Sequence, residues 1–271
     1  MLRTRVITAL IGVAAFLLLI YLGGIWLALP VWGLAFLALL EYKHILQQRQ
    51  IYASAIVMTI VMTLMIIGAE TVGGIFLLIL LPAILPCLFL VAFCLRRAPD
   101  FLSLFFTIGG VLYIGVGFST LLLLRSASFL HGAAFGSGTF WVWFALLGTW
   151  MSDTGAYFAG KRFGTKAVVP QISPHKTLEG FIGGALFTIV GLLIYAYAGQ
   201  VPLSLALGLA MAVAMVAPAG DLFESLLKRY VNVKDSGHIL PGHGGILDRF
   251  DSLLFVTPVL YSLLLFLIGD L

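Results

Sequence analysis

Charge is scarce in this chain: Lys, Arg, Asp and Glu make up 10% of 271 residues, while 62% are hydrophobic. Soluble domains carry about a quarter charged residues. That class is therefore excluded, and a chain that crosses a bilayer several times is indicated. Cysteine is scarcer still. Cys87 and Cys94 lie seven residues apart in one apolar run, about 10 Å along a helix and too far to bridge each other, which excludes a disulfide framework. The formal charge of +4 is scattered over short loops without an aromatic-interleaved basic patch, so no nucleic-acid partner is expected.

What is present is a series of long apolar runs. A bilayer core needs about 20 apolar helical residues, fewer where packing or thinning helps. Nine runs satisfy this, near 6–22, 25–40, 54–68, 74–95, 102–124, 140–158, 178–198, 203–221 and 252–268. The fold expected is an all-α polytopic transmembrane bundle of about nine helices. The start, with Arg3 and Arg5 ahead of an apolar run, has the charge pattern of a signal peptide but reads better as an uncleaved anchor, because no small-x-small cleavage site precedes polar sequence.

Nine spans with a cytoplasmic N-terminus put 14 of the 15 Lys/Arg residues on the inside. Only Arg125 falls outside, which is the asymmetry that the positive-inside rule demands. Every dense polar loop then faces the cytoplasm. Residues 1–139 carry few ionisable groups and read as a membrane scaffold, suited to lipid packing or to forming a homodimer. Within them Glu41 and His44 are expected to snorkel to the interface from the end of the second span. Residues 140–271 change character and form the expected catalytic half.

In that half Asp153 follows an apolar stretch, and a carboxylate at membrane depth is costly unless paired or solvated, so it is a site candidate by default. The segment Ile172–Gly180 looks like a helix opening. Ser173 fits the N-cap, Pro174 the first helical position, and the free N–H groups there favour a phosphate. His175 reads as a solvated loop residue. Further on, Asp221, Glu224, Ser225 and Lys228 fall at i, i+3, i+4 and i+7, one polar face of a helix. Glu224 and Lys228 have the spacing of a local ion pair. Asp221 has no such partner and is better explained as a metal ligand reaching toward Asp248.

The longest polar interval runs from Ser225 to Asp251. It holds Lys228, Arg229, Lys234 and Arg249, the carboxylates Asp235, Asp248 and Asp251, and His238 and His243. Gly237, Gly242, Gly244 and Gly245 allow positive φ and close backbone approach, so that N–H groups can cradle an anion. The basic side chains offer donors to phosphate, and the carboxylates offer acceptors to a hard cation such as Mg2+. Phosphate and metal are the chemistry indicated.

The order Ser225, Lys228-Arg229, Lys234-Asp235, His243-Gly244-Gly245 and Asp248-Arg249-Phe250-Asp251 resembles the signature of the phosphatidate cytidylyltransferase (CDP-diglyceride synthase) family. Asp153-Thr-Gly-Ala-Tyr157 and Ser173-Pro-His-Lys-Thr-Leu-Glu-Gly180 resemble two further stretches of that family, with His175 at a position that looks variable. The likeness covers about residues 150–255.

The resemblance implies that CTP and phosphatidate give CDP-diacylglycerol and pyrophosphate, at the cytoplasmic face of a bacterial inner membrane. It also implies that Asp221, Asp248, Lys228, Arg249 and His243 carry the reaction. Asp221 and Asp248, with Glu224 and Asp251 behind them, would hold Mg2+, alone or with a second cation. Asp153, Ser173, Lys176, Glu179, Ser225, Arg229, Lys234, Gly244 and Gly245 would bind substrate. A CTP-dependent polyprenol or phytol kinase would use similar groups, and an ion-coupled transporter would also bury Asp153 and Asp221. The Asp-Gly-x-x-Ala-Arg pattern of CDP-alcohol phosphotransferases is missing.

Overall fold

The computed structural model describes residues 16–77, 80–83, 86, 100–127, 134–237 and 244–268. The chain separates into two compact units, Met1–Ser126 with Tyr230–Arg249, and Ala127–Arg229 with Phe250–Leu271. The sequence reading divides the chain at 139/140, whereas by contacts most of the polar interval after Tyr230 groups with the N-terminal helices. Arg3, Arg5, Cys87, Cys94, Arg96, Arg97, His238, Gly242 and His243 lie outside the described residues.

In the first unit, helix α1 (Gly24–Gln47) begins after Gly23, whose φ of 65° suits glycine. Helix α2 (Ala55–Thr71) is capped by the Ser54 side chain, which accepts from Val57 N–H. Helix α3 (Phe101–Gly110), capped by Asp100, passes through one π turn (Val111–Gly115) into α4 (Val116–Ser126). Met58, Met62 and Met65 form one buried stripe of α2 at i, i+4 and i+7. A Cβ on Gly110 would fall 2.6 Å from Met58 Sδ and one on Gly115 3.0 Å from Met65 Sδ. The thioethers thus fill space that the glycines leave open.

The second unit holds α5 (Gly138–Phe163), the strands β1 (Ala167–Val169) and β2 (Ser173–Thr177), and helices α6 (Leu178–Ala198) and α7 (Leu203–Tyr230). Helix α8 (Leu247–Ile268) lies in this unit from Phe250 onward. Helices α5 and α6 meet nearly backbone to backbone: a Cβ on Gly155 would lie 3.0 Å from Gly183 O, and one on Gly184 2.8 Å from Ser152 O. Small residues at such a seam allow the close van der Waals packing that holds helices together in lipid. The strands pair antiparallel, Ala167 with Thr177 and Val169 with Ser173.

One expectation is corrected here. Ser173 does not cap a helix; it lies in β2, and α6 starts four residues later than Pro174, at Leu178, with Thr177 accepting from Gly180 N–H. The reason is local: the residue before a proline is pushed out of the helical region, and an edge strand tolerates the proline that follows. Helix α7 runs on to Tyr230, nine residues past the apolar span, and carries Asp221, Glu224, Ser225 and Lys228 on a helix as their spacing predicts. Asn232, at φ 57°, turns the chain just after it.

Ile25, Trp26, Leu29, Ile56, Ile60 and Ile67 in the first unit, and Leu186, Val190, Ile194 and Met215 in the second, are exposed on the outer faces of their helices. An apolar sheath of this kind is stable in hydrocarbon and not in water. Among the described residues five helical stretches are long and apolar enough to cross a bilayer: Gly24–Gln47, Phe101–Ser126, Leu178–Ala198, Leu203–Tyr230 and Leu247–Ile268. The protein is a polytopic helical membrane protein; the expected count of nine spans is not reproduced among those residues.

Candidate functional site

The second unit contains a cleft of about 330 Å³. It is lined by Asp153 from α5, His175 and Lys176 from β2 and Asp221 from α7, together with Tyr157, Val168, Phe181 and Leu222. Strand β2 is what brings Lys176 in. Extended backbone carries its ammonium group to Asp221 Oδ1 at 2.6 Å, with Ser225 Oγ accepting from it at 3.4 Å. Asp221 therefore has a partner after all, 45 residues away in sequence. Both side chains are about a third exposed, so the pair is solvated and weak, and it can open to a ligand.

Three carboxylates gather here. Asp153 lies within electrostatic reach of Asp221 and Lys176, and Asp251 within reach of Asp221, Asp153 and Lys228. Glycine sets part of this geometry. A Cβ on Gly220 would fall 2.6 Å from Asp251 O and 2.9 Å from Ser252 Cα, so α7 and α8 touch backbone to backbone beside both aspartates.

Glu224 and Lys228 form the expected i, i+4 ion pair at 2.5 Å, with Glu224 buried. Arg229 Nε donates to Ile172 O at 3.1 Å and so ties α7 to the hairpin. Glu179 ties the other end: it accepts from Thr165 N–H at 3.1 Å and from the Thr165 hydroxyl. His175, expected to be an ordinary loop residue, lines the cleft, a position visible only once β2 forms.

The first unit holds a second polar system. Asp248 Oδ2 accepts from Ser236 Oγ at 2.8 Å, Ser236 N–H at 3.1 Å and Gly245 N–H at 3.0 Å. Glu41, in contrast to the snorkelling expected of it, is 4% exposed, and its carboxylate receives Ile246 N–H at 2.9 Å and Leu247 N–H at 3.0 Å. The open N–H groups and partial positive charge at the start of α8 outweigh the pull of interfacial water. The sequence carried a signal for this: a carboxylate beside a long apolar run is expensive unless paired.

The glycines of this loop also differ from expectation. Only Gly244 has a positive φ among those described, at 82°. Gly237 and Gly245 are needed for space, since a Cβ on either would fall 2.6 Å from a Glu41 carboxylate oxygen. Lys234, with His44, Gln48 and Asp235, lines a separate cavity of about 610 Å³, while Arg249 is exposed on the first turn of α8. Asp248 is thus engaged in the first unit, and Asp221 and Asp251 in the second.

Among the described residues no three His, Cys, Asp or Glu side chains are grouped closely enough to hold a metal. Near the cleft Asp153, Asp221 and Asp251 lie within electrostatic reach of one another, with Lys176 paired to Asp221 and Lys228 to Glu224.

Helices sheathed in apolar side chains, several of them long enough to cross a bilayer, around a cleft that holds charged groups define an integral membrane protein. The chain belongs to the cytidylyltransferase family, whose profile matches residues 3–267. It is 34% identical to the phosphatidate cytidylyltransferase of Staphylococcus saprophyticus over 267 residues, covering 97% of this chain and 99% of that protein. The enzyme of the same name from Staphylococcus aureus (strain COL) is 33% identical over 268 residues, with the same coverage. That of Bacillus subtilis is 48% identical over 129 residues, 47% of this chain and 48% of that protein.

Proposed function

We propose that this protein is a phosphatidate cytidylyltransferase that makes CDP-diacylglycerol and pyrophosphate from CTP and phosphatidate. The observation that carries the reading is the Lys176–Asp221 pair, set near further carboxylates in a cleft that apolar side chains also line. A phosphate oxygen of phosphatidate attacks the α-phosphorus of CTP, the bond from that phosphorus to the β-phosphate bridge breaks, and pyrophosphate leaves. Phosphatidate is ionised at neutral pH, so neither an enzyme nucleophile nor a general base is required. Catalysis is positioning and charge neutralisation.

Lys176 is freed for a phosphate when Asp221 takes another partner, and Lys228 and Arg229 add positive charge along α7. The resemblance, and not the grouping of the side chains, assigns Asp221 to Mg2+, which when bound would neutralise the triphosphate and the departing pyrophosphate. Asp248 is assigned as a ligand on the resemblance; Ser236 and Gly245 fix the direction of its carboxylate. Phosphate contacts by Lys234, Arg249 and His243 rest on the resemblance alone. Ser173 and Glu179 are assigned to holding the hairpin beside the nucleotide.

The test is incubation of the purified protein with Mg2+, phosphatidate and CTP labelled either at the α- or at the γ-phosphate, followed by lipid chromatography. Label from the α-position in a liponucleotide, with pyrophosphate released, is expected. Lipid labelled only from the γ-position would make it a kinase, and substrate uptake without pyrophosphate would make it a transporter. We place the site on the cytoplasmic side of a bacterial inner membrane, on the division of basic residues. Cysteine at Lys234 should then react with an impermeant thiol reagent only in inside-out vesicles, and cysteine at Gly136 only from outside intact cells.

A further inference from the structure

The signature loop offers backbone N–H groups to an anion, and the chain itself supplies one. Glu41 stands on α1, about 200 residues upstream in sequence, a separation that reflects its bonds to Ile246 and Leu247. Its two oxygens divide the work: Oε1 takes Ile246 N–H and Oε2 takes Leu247 N–H, with Ser236 Oγ a further 3.4 Å from Oε2. A hydroxyl has one proton to donate. At 2.8 Å from Asp248 Oδ2 that proton serves Asp248, so Ser236 is wedged between the two carboxylates.

Two like charges meeting at one serine repel unless compensated. Here five donations compensate them: two N–H groups to Glu41, and two N–H groups and one hydroxyl to Asp248. All five come from residues of the signature loop or the first turn of α8, and they tie Ser236 and Gly245–Leu247 to the two carboxylates. The bare Cα atoms of Gly237 and Gly245 complete the fit, because either side chain would collide with the Glu41 carboxylate. Two glycines of the signature are thus explained by a residue far outside it.

We propose that Glu41 is a positioning residue for the signature loop: its buried carboxylate clamps the start of α8 and, through Ser236, sets the orientation of Asp248. The proposal rests on the reading that this loop serves cytidylyl transfer. It predicts a defect in turnover and not in substrate capture, since Glu41 itself has no place among the phosphate contacts.

The test compares the full-length wild type with Glu41→Gln and Gly237→Ala in lipid nanodiscs, by amide hydrogen exchange and by steady-state kinetics. Glutamine keeps the size but turns an NH2 group toward a backbone N–H; alanine leaves Glu41 intact and puts a methyl group in its place. In both variants exchange at Gly245–Leu247 should rise while that in α5 and α6 stays as in the wild type. Turnover should fall about 10-fold to 100-fold, as for groups that orient metal ligands, with KM for CTP changed by less than about twofold.

Unchanged exchange at Gly245–Leu247 would overturn the clamp. So would a uniform rise across every helix in both variants, which would make Glu41 a general stabiliser. Faster loop exchange with normal turnover would separate the clamp from catalysis and overturn the positioning role. If the wild type transfers no cytidylyl group, the function reading fails, while the exchange data still decide whether Glu41 holds the loop.

Discussion

Glu41 and Asp248 in the first unit are surrounded by N–H and O–H donors, whereas Asp153, Asp221 and Asp251 in the second unit lie within electrostatic reach of one another, with Lys176 paired to Asp221, Lys228 near Asp251 and Ser252 N–H donating to Asp251. The same functional group is used in opposite ways. A carboxylate with several donors is a fixed part of the scaffold, and moving it leaves those donors unpaired. Carboxylates that outnumber their cations store unfavourable repulsion, which a ligand of positive charge can relieve.

The sharpest way to break this contrast is Asp221→Asn. Loss of charge in the donor-poor cluster should lower kcat/KM by about 10²-fold to 10³-fold, the scale for removing one preorganised electrostatic group. Expression and thermal midpoint should stay near the wild type, since the Lys176 pair is solvated. Kinetics over a Mg2+ titration check it: near-normal turnover at limiting Mg2+ would remove Asp221 from the metal site.

Asp248→Asn probes the opposite member. An amide keeps one acceptor oxygen but brings a donor among the donors of Ser236 and Gly245. Turnover should fall about 10-fold to 100-fold, and, unlike Asp221→Asn, the thermal midpoint should fall as well. A raised Mg2+ requirement with an unchanged midpoint would show that its hydrogen bonds hold little and that the contrast between the two units is too strong.

Gly220→Ala asks whether spacing alone matters in the second unit. The added methyl group would press on the backbone of Asp251 and Ser252, and overpacking of this kind costs about 1–3 kcal/mol. Activity should drop about tenfold through displaced carboxylates, a smaller effect than deleting Asp221. Retention of full activity would show that α7 and α8 can part without harm. The smallest effect is expected from Thr177→Ala, which removes the cap of α6: a loss of about 1 kcal/mol in stability, read as a lower unfolding midpoint by scanning fluorimetry.

Much of this protein is legible in its residues alone. Helix α6 matches its expected span, 178–198, to the residue, because hydrocarbon thickness dictates the length of an apolar run and leaves the backbone no option but to bond within itself. The ion pair of Glu224 with Lys228 is legible for a related reason, since helical spacing is local. The polar interval from Ser225 to Asp251 carries, by residue type and order alone, the likeness to the family to which the chain belongs.

Other features required the chain to fold back on itself. Thr177, not Ser173, caps α6 because a two-stranded hairpin forms ahead of it, and pairing between strands is not written in helical spacing. Lys176 meets Asp221, and Glu41 meets the start of α8, across long stretches of sequence whose length says nothing about proximity. Gly237 and Gly245 illustrate the same division. Sequence showed that no side chain stands at these positions, and only tertiary packing, which brings the Glu41 carboxylate into that space, decided why none can.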